Sequence, residues 1–411
     1  MKYLKYILIL VFLVLIALTF YLLKNNNYRQ SFFIENSNIV RSDGKILNVK
    51  GLVYSPYYPG ETGGENIVND ERFFDHLKKI KDLGANSVSL FPQKISENFF
   101  IALEKNDLYY TQIIDINLYD GSDNRDLLSD NYQEKAFNHI KEVIDYNHSF
   151  SSINRLLYFV IGYEINPGFI QYTNNYHKDT SSFKGKYIEI VNRTASEVAL
   201  AKLLDKSIDY EIKTYSHRSL YSHNSFPAYN LIDEKPLLFP DFFDIISINL
   251  YPSFFYDRND YFKEVKENSI KDINSGFVNY LKSLDNKTNK PIIISELGLP
   301  SNNNVNYKNG VPPYGDNSEK AVSSLYLKSY NDIKEFLNND NSSFSGIFYF
   351  EFNDEHWKNG EEENDTNIHN PNDPEEWFGV YSVIKNNLNG FEVQEKEEIV
   401  RVLKNIFKQY D

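Results

Sequence analysis

Short, strongly apolar runs alternate along the chain with longer stretches in which apolar residues recur every three or four positions. The short runs are rich in β-branched and aromatic residues and end at Gly, Pro or polar residues, which is typical of buried strands in a parallel sheet. They predict strands at residues 49–54, 87–91, 111–117, 157–162, 219–223, 244–249, 291–296 and 346–350. The longer stretches predict helices at residues 71–83, 133–146, 186–215, 272–284, 318–337 and 391–410.

Eight strand candidates alternating with helices favour a (β/α)₈ TIM barrel of the α/β class over an open doubly wound sheet, which usually has fewer strands. Residues 32–49 precede the first unit and predict a small hairpin with Asp43 and Gly44 as its turn. Gly84 follows the first predicted helix and is a candidate C-cap residue.

The N-terminal region carries a different pattern. Residues 6–23 contain no charged residue, and Lys2 and Lys5 precede them. Eighteen helical residues reach about 27 Å, enough to cross the apolar core of a bilayer. We therefore expect an uncleaved signal anchor that places the N-terminus in the cytoplasm and the remainder outside. The expected division is a cytoplasmic stub and transmembrane helix at 1–24, a tether and hairpin at 25–45, and a catalytic barrel at 46–411.

Composition narrows the possible partners. The net charge of -14 argues against a nucleic acid partner, which would reward basic patches. The chain has no cysteine, and it lacks the common metal-binding and phosphate-binding motifs. We therefore expect no cofactor and no metal site. The 32 tyrosines and 30 phenylalanines suit the apolar faces of sugar rings.

Two glutamates stand where predicted strands open into loops. Glu164 ends the fourth strand region and Glu296 ends the seventh. The carboxyl ends of all strands of a (β/α)₈ barrel meet at its catalytic face, so both carboxylates are expected to face one cleft. Two such carboxylates can break a glycosidic bond. The sequence thus predicts an oligosaccharide or polysaccharide substrate.

Further motifs occur in a matching order. The segments Gly51-Leu-Val-Tyr-Ser-Pro, Asn249-Leu-Tyr-Pro and Ser295-Glu-Leu-Gly resemble the first, sixth and seventh strand motifs of the clan of retaining (β/α)₈ glycoside hydrolases. That clan includes β-glucanases, β-mannanases and β-1,3-glucanosyltransferases. The resemblance implies that Glu164 is the acid/base, that Glu296 is the nucleophile, and that Tyr251 donates a hydrogen bond to Glu296.

The resemblance also suggests where a sugar would bind. Most of the clan has an Asn immediately before the acid/base glutamate, where it binds the sugar 2-hydroxyl, whereas this chain has Tyr163. Trp357, after the eighth strand, matches the aromatic platform of the clan. The expected substrate-binding residues are Tyr54, Asn117, Tyr163, Asn166, His223 and Trp357.

Other interpretations remain open at the level of sequence. Glu351, Asp354 and Glu355 crowd the end of the eighth strand and could bind hydroxyls, face solvent or compete for a catalytic role. The barrel could bind a polysaccharide at the cell surface without catalysis. Tyr163, which occupies the position of the clan's Asn, favours this interpretation. It could also catalyse a different hydrolysis, such as metal-dependent deacetylation. Hydrolysis and transglycosylation are not distinguished, because they differ only in whether water or a sugar attacks the intermediate.

Overall fold

A closed barrel of parallel strands forms the centre of the molecule. The computed structural model describes residues 28–61, 71–118, 125–227, 238–252, 275–301, 318–339, 341–358, 374–387 and 390–409. The strands, in chain order, are β1 (Phe32–Glu35), β2 (Asn38–Arg41), β3 (Val49–Tyr54), β4 (Ser87–Leu90), β5 (Tyr109–Ile114), β6 (Leu156–Tyr163), β7 (Ser182–Lys184), β8 (Glu189–Val191), β9 (Leu220–Ser225), β10 (Ile245–Asn249), β11 (Ile292–Leu297), β12 (Phe344–Tyr349), β13 (Tyr381–Lys385) and β14 (Phe391–Glu395).

The barrel closes through the strand order β10, β11, β12, β3, β4, β5, β6 and β9. Every pairing in this ring is parallel. The eight barrel strands overlap the eight predicted ones, so the predicted (β/α)₈ barrel is confirmed. β6 is the fourth strand of the ring in chain order, and β11 is the seventh.

Helices surround the barrel. In chain order they are α1 (Arg72–Asp82), α2 (Glu97–Lys105), α3 (Asp130–His148), α4 (Pro167–Tyr176), α5 (Ala195–Tyr215), α6 (Ser275–Asp285), α7 (Glu319–Leu337) and α8 (Glu397–Lys408). Ser96, Ser129 and Ser318 accept backbone N–H groups at the starts of α2, α3 and α7, as N-cap residues do. Gly84 follows the last turn of α1 with a φ of 94°, in agreement with its predicted capping role.

Two large apolar clusters make up most of the core, and a small third one lies at Ile190, Val198 and Ala201. One lies between the strands and the helices and includes Leu52 and Tyr54 of β3. The other fills the barrel interior and includes Val53 of the same strand. Phe32 and Ile39 of the hairpin β1–β2 belong to the interior cluster, so the hairpin closes the barrel end at which the strands begin.

Three predicted elements differ from the structure. The β1–β2 turn lies at Asn36 and Ser37, while Asp43–Gly44 forms a second turn in which Gly44 N donates to Arg41 O. Residues 186–194 belong to the hairpin β7–β8 and its exit, because the capping box of Thr194 and Glu197 starts α5 only at Ala195. The predicted helix over 391–410 begins instead with β14, which pairs with β13.

The predicted signal anchor lies outside the described residues. Within the described ranges, no helix is long and apolar enough to span a membrane. The first described residues lie beside the amino end of β9. There, Arg29 N donates to Ser216 O, and Arg218 N donates to Arg29 O.

Candidate active site

The two predicted glutamates lie at the carboxyl ends of the fourth and seventh barrel strands. Glu164 directly follows β6, and Glu296 is the penultimate residue of β11. Gly162 and Glu164 have φ values of 82° and 44°, so the chain turns sharply as it leaves β6. A Cβ atom on residue 162 would lie 2.9 Å from His223 Nδ1, which favours glycine there. The barrel thereby brings two acids that are far apart in sequence into one cavity.

Two phenols hold the carboxylate of Glu296. The Tyr163 hydroxyl donates to Oε1 and the Tyr251 hydroxyl donates to Oε2, each at 2.6 Å. Burial raises the pKa of Glu296 to about 7, and the two phenols oppose that rise because they stabilise the charged form. The hydrogen bond anticipated for Tyr251 is therefore present, and Tyr163 adds a second one.

Glu164 has a different environment. Asn249 Nδ2 donates to Glu164 Oε1 at 2.7 Å. The Ser295 hydroxyl donates to Asn249 Oδ1 at 2.8 Å, which orients the amide with its NH₂ group toward Glu164. Burial, and then the charge of Glu296, raise the pKa of Glu164 to about 8.

The two glutamates differ in their hydrogen-bond donors. Glu296 receives two phenol donors and Glu164 receives one amide donor, so the negative charge is better stabilised on Glu296. When one of the two carboxyl groups carries a proton, that proton therefore resides on Glu164. This is the distribution that an acid and a nucleophile require.

A second acidic pair lies beside the first. Glu351 and Glu355 are fully buried at the end of β12, so neither faces solvent. Lys358 Nζ lies 2.9 Å from Glu351 Oε1 and 2.7 Å from Glu355 Oε2. Burial, and then Glu355, raise the pKa of Glu351 well above its usual value. Ser55 Oγ and Trp357 Nε1 both donate to Glu355 Oε1.

A cavity of about 280 Å³ joins these groups. Its lining combines acids and aromatic rings, which suits a ligand with hydroxyl groups and an apolar ring face. The described lining residues are Ser55, Phe91, Tyr163, Glu164, Phe226, Tyr251, Glu296, Phe350, Glu351, Glu355, Trp357, Lys358, Glu375 and Phe378.

Of the predicted substrate-binding residues, Tyr163 and Trp357 line this cavity. Asn117 supports the segment that carries Glu164: its Nδ2 donates to Tyr163 O at 2.7 Å and its Oδ1 accepts from Asn166 N at 3.0 Å. Asn166 caps α4 by accepting a hydrogen bond from Gly168 N. Asn117 and Asn166 therefore shape the loop after β6, and neither is among the residues that line the cavity.

Tyr54 and His223 also lie away from the cavity lining. Tyr54 is fully buried in the cluster between strands and helices, and its hydroxyl is 3.0 Å from His76 Nδ1. His223 Nδ1 lies 2.9 Å from Ile161 O, and burial lowers the pKa of His223 to about 4. The neutral ring donates to that carbonyl and supports the end of β6.

Sequence reasoning did not name several residues that complete the site. Asn249 is the last residue of a predicted strand, and its amide reaches Glu164. Lys358 and Glu375 lie on either side of residues 359–373, which are outside the described ranges. Asp354 was predicted to lie with Glu351 and Glu355 at the end of the eighth barrel strand. In the structure it forms an ion pair with Lys396 at 2.7 Å. Only one sequence signal pointed to Asn249: it is a polar residue at the end of the predicted sixth strand.

One group at the opposite end of the barrel has the composition of a metal site. In the described part of the chain, His148, Glu211 and His217 are the residues whose ligand atoms lie close enough to hold an ion. Glu211 already accepts hydrogen bonds from Ser219 N, Ser219 Oγ and Tyr221 OH. His148 Nε2 and His217 Nδ1 lie 2.9 and 3.0 Å from its Oε1. Hydrogen bonding therefore satisfies this carboxylate without an ion.

An eight-stranded parallel barrel with paired acids at the carboxyl ends of its strands is an architecture that many glycosidases use. The chain is similar in structure to a GH2 β-galacturonidase from Eisenbergiella tayi, at 13% identity and a TM-score of 0.54, covering 92% of this chain and 54% of that one. It is similar to a β-glucuronidase from Bifidobacterium dentium, at 11% identity and a TM-score of 0.58, covering 92% and 49%. It is also similar to Gas2, at 16% identity and a TM-score of 0.51, covering 94% and 70%.

These likenesses establish a shared fold. The chain spans about half the length of the two uronidases. A scan of protein-family profiles finds no match, nor does a search of curated proteins.

Proposed function

We propose that the protein is a retaining glycoside hydrolase or transglycosidase that acts on a β-linked polysaccharide. The observation that carries this proposal is the asymmetric pair of Glu164 and Glu296 in one cavity, with both phenols on Glu296. The glycosidase names of the structural neighbours support it as an analogy of fold.

The reaction proceeds by double displacement. Glu296 attacks the anomeric carbon while the glycosidic C–O bond breaks, and Glu164 delivers its proton to the departing oxygen. The glycosylated Glu296 is neutral, so the pKa of Glu164 falls and its carboxylate can act as a base. Glu164 then removes a proton from water or an acceptor hydroxyl, whose oxygen attacks the anomeric carbon and displaces Glu296.

The substrate class of the uronidases does not transfer readily to this chain. A uronide carries a carboxylate, whereas the described cavity lining contains five glutamates and one lysine. Like charges in a shared cavity repel, so we favour a substrate without a carboxylate.

We also propose that residues 6–23 anchor the barrel outside the cytoplasmic membrane. The uncharged apolar run, and the lysines that precede it, support this placement.

The test compares Glu296→Ala, Glu164→Gln and the control Glu335→Gln, which removes an exposed glutamate of α7. The substrates are β-glucans, β-mannans and aryl β-glycosides, with product sizing and NMR of the first-formed anomer. We expect turnover to fall by about 10³-fold or more in both site variants and to stay unchanged in the control. We expect external azide to restore aryl glycoside cleavage in Glu296→Ala, because it can fill the space left by the carboxylate.

The proposal fails if either site variant keeps full activity. Polysaccharide binding without any product, equal in all variants, would establish the non-catalytic barrel instead. Loss of activity on chelation would point to metal-dependent hydrolysis.

A further inference from the structure

Glu164 has an unfavourable backbone conformation. Its φ of 44° lies in the left-handed region, where a Cβ atom crowds the carbonyl oxygen that follows. Among the described residues, the other non-glycine residues with a positive φ are Asn, Asp or Ser, whose short polar side chains can bond to the nearby backbone. Such a conformation persists only where neighbouring contacts fix it. The position of the Glu164 carboxyl group therefore depends on the residues that hold this turn.

One side chain joins the two sides of the turn. Asn117 lies three residues beyond the end of β5. Its Nδ2 donates to Tyr163 O at 2.7 Å, and its Oδ1 accepts from Asn166 N at 3.0 Å. Tyr163 immediately precedes Glu164, and Asn166 follows it by two positions. The amide of Asn117 thus brackets the residue with the unfavourable φ.

A third partner fixes the orientation of this amide. Asn117 Nδ2 also donates to Asp115 Oδ1 at 3.0 Å, and Asn117 N donates to the same oxygen at 2.9 Å. The amide nitrogen therefore uses both of its donors, and the amide oxygen is an acceptor. A carboxylate lacks the donors and an apolar side chain lacks donors and acceptor, so neither can replace this amide.

Two further hydrogen bonds act on Glu164 itself. Glu164 N donates to Asn224 O at 3.1 Å, and Asn249 Nδ2 donates to Glu164 Oε1 at 2.7 Å. Asn224 belongs to β9 and Asn249 to β10, so both bonds depend on where the turn places Glu164 relative to these strands. A shift of the turn would displace the carboxyl group from Asn249.

We propose that Asn117 is a positioning residue for acid catalysis, because its amide holds the turn from which Glu164 delivers a proton to the departing oxygen. This inference rests on the proposed glycosidase function and assigns a role to a residue that is not among the described residues of the cavity lining. Asn117 acts through Glu164 and not on the sugar, in contrast to the substrate-binding role expected from the sequence.

The test uses the dependence of cleavage on the leaving group. The full-length protein in detergent is assayed with 2,4-dinitrophenyl and phenyl β-glycosides of one sugar, because dinitrophenolate departs without a proton and phenolate requires one. General acid catalysis contributes about 10²–10⁴-fold, and a displacement of about 1 Å can cost about 10²-fold. We expect Asn117→Ala to lower kcat/KM about 30-fold or more for the phenyl glycoside and less than about threefold for the dinitrophenyl glycoside.

Asn86 provides a matched control at the opposite end of the barrel, directly before β4. Its Nδ2 donates to Asn48 O at 2.8 Å and its Oδ1 accepts from Lys50 N at 3.0 Å, so it also bridges two main-chain groups. Asn86→Ala should lower the thermal unfolding midpoint and leave the ratio of the two kcat/KM values unchanged. If Asn117→Ala lowers both values by the same factor, its effect is only structural and the inference is overturned.

Asn117→Ser decides the matter if Asn117→Ala does not fold. Serine keeps a polar side chain, but it is too short to join Tyr163 O and Asn166 N, so we expect the same change in the ratio of the two kcat/KM values.

Glu164→Gln separates this inference from the proposed function. A changed ratio in Glu164→Gln, with an unchanged ratio in the folded Asn117 variants, would overturn the positioning role alone. An unchanged ratio in Glu164→Gln, or no cleavage of any glycoside by the wild type, would overturn the proposed acid and this inference with it.

Discussion

At the scale of single residues, the division of labour between the two central acids follows from their hydrogen-bond donors. Glu296 lies at the end of a strand and receives two phenol O–H groups. Glu164 lies in the turn after a strand and receives one amide N–H from Asn249. Burial raises the pKa of both acids, and the donors decide which one keeps the charge.

Replacing Tyr251 with Phe should test that argument. The loss of one donor to charged Glu296 raises its pKa further, so the acid limb of the kcat/KM profile should move to higher pH. A hydrogen bond to a charged group contributes about 1.5–3 kcal/mol, so kcat/KM should fall about 10–100-fold. The measurement is kcat/KM for an aryl β-glycoside from pH 4 to 9.

Tyr210→Phe is the matched control for this substitution. Its hydroxyl donates to Asp145, away from the cavity lining, so this variant should keep the wild-type profile. An unchanged acid limb in Tyr251→Phe would show that the phenol does not stabilise the charge on Glu296.

At the scale of secondary-structure elements, the sequence was most informative where burial dictates the pattern. All eight barrel strands are visible as apolar runs, because the strands of a parallel barrel are covered on both faces. The order of the runs placed Glu164 and Glu296 at the ends of the fourth and seventh strands, and the structure has both there.

Element predictions from the sequence were wrong where tertiary contacts override the local hydrophobic pattern. Residues 186–194 carry a helix-like pattern, but Asp205 of α5 accepts the backbone N–H groups of Lys186, Tyr187 and Ile188 and holds them in a turn. Residues 391–395 carry apolar positions compatible with a helix, but they pair with β13. The Tyr163–Glu296 hydrogen bond joins residues from different strands, so no local pattern could reveal it.

Lys396, between β14 and α8, joins elements beside the cavity. Its Nζ lies 2.7 Å from Asp354 Oδ1 and 2.7 Å from Ser301 Oγ. Lys396→Met leaves Asp354 buried without this partner, and we expect a loss of about 3–5 kcal/mol in the free energy of unfolding. Urea denaturation measures it, with the exposed Lys385→Met of β13 as control. A loss no larger than in the control would show that the ion pair is not stabilising.

Glu211 links α5 to the end of α3 and the start of β9. Burial alone would raise the pKa of Glu211, but hydrogen bonds from His148, His217 and Ser219 lower it to about 2. Because this is below the value of about 4.5 in the unfolded chain, its stabilisation is present above pH 4.5 and is lost as the pH falls toward 2. A shift of this size corresponds to about 3 kcal/mol.

Glu211→Gln should therefore be less stable than the wild type at pH 7, and the difference should shrink as the pH falls from 5 to 3. Denaturant unfolding at several pH values measures both, and Glu335→Gln controls for the loss of an exposed carboxylate. A difference that stays constant with pH would contradict the assignment, since only a titrating group can make it vary.

At the scale of the whole molecule, the cavity and the first described residues lie at opposite ends of the barrel. The cavity lies at the carboxyl ends of the strands, beside Glu164 and Glu296. Arg29 contacts residues 216–218, before the amino end of β9. A membrane anchor upstream of Arg29 would therefore attach at the end away from the cavity. With this attachment, a large polysaccharide could reach the cavity without approaching the bilayer.

The absence of cysteine from the sequence allows this placement to be tested in intact cells. Single cysteines at Tyr3→Cys, which keeps both Lys2 and Lys5, and at the exposed Lys178→Cys would be treated with a membrane-impermeant maleimide. In the proposed orientation the barrel is outside and the two lysines keep the N-terminus inside. We therefore expect labelling at position 178 in intact cells and labelling at position 3 only after permeabilisation. A chain starting at Asn27 should leave the membrane fraction, since it lacks the apolar run but keeps Arg29. Labelling of both positions only after permeabilisation would place the barrel inside the cell and contradict the proposed orientation.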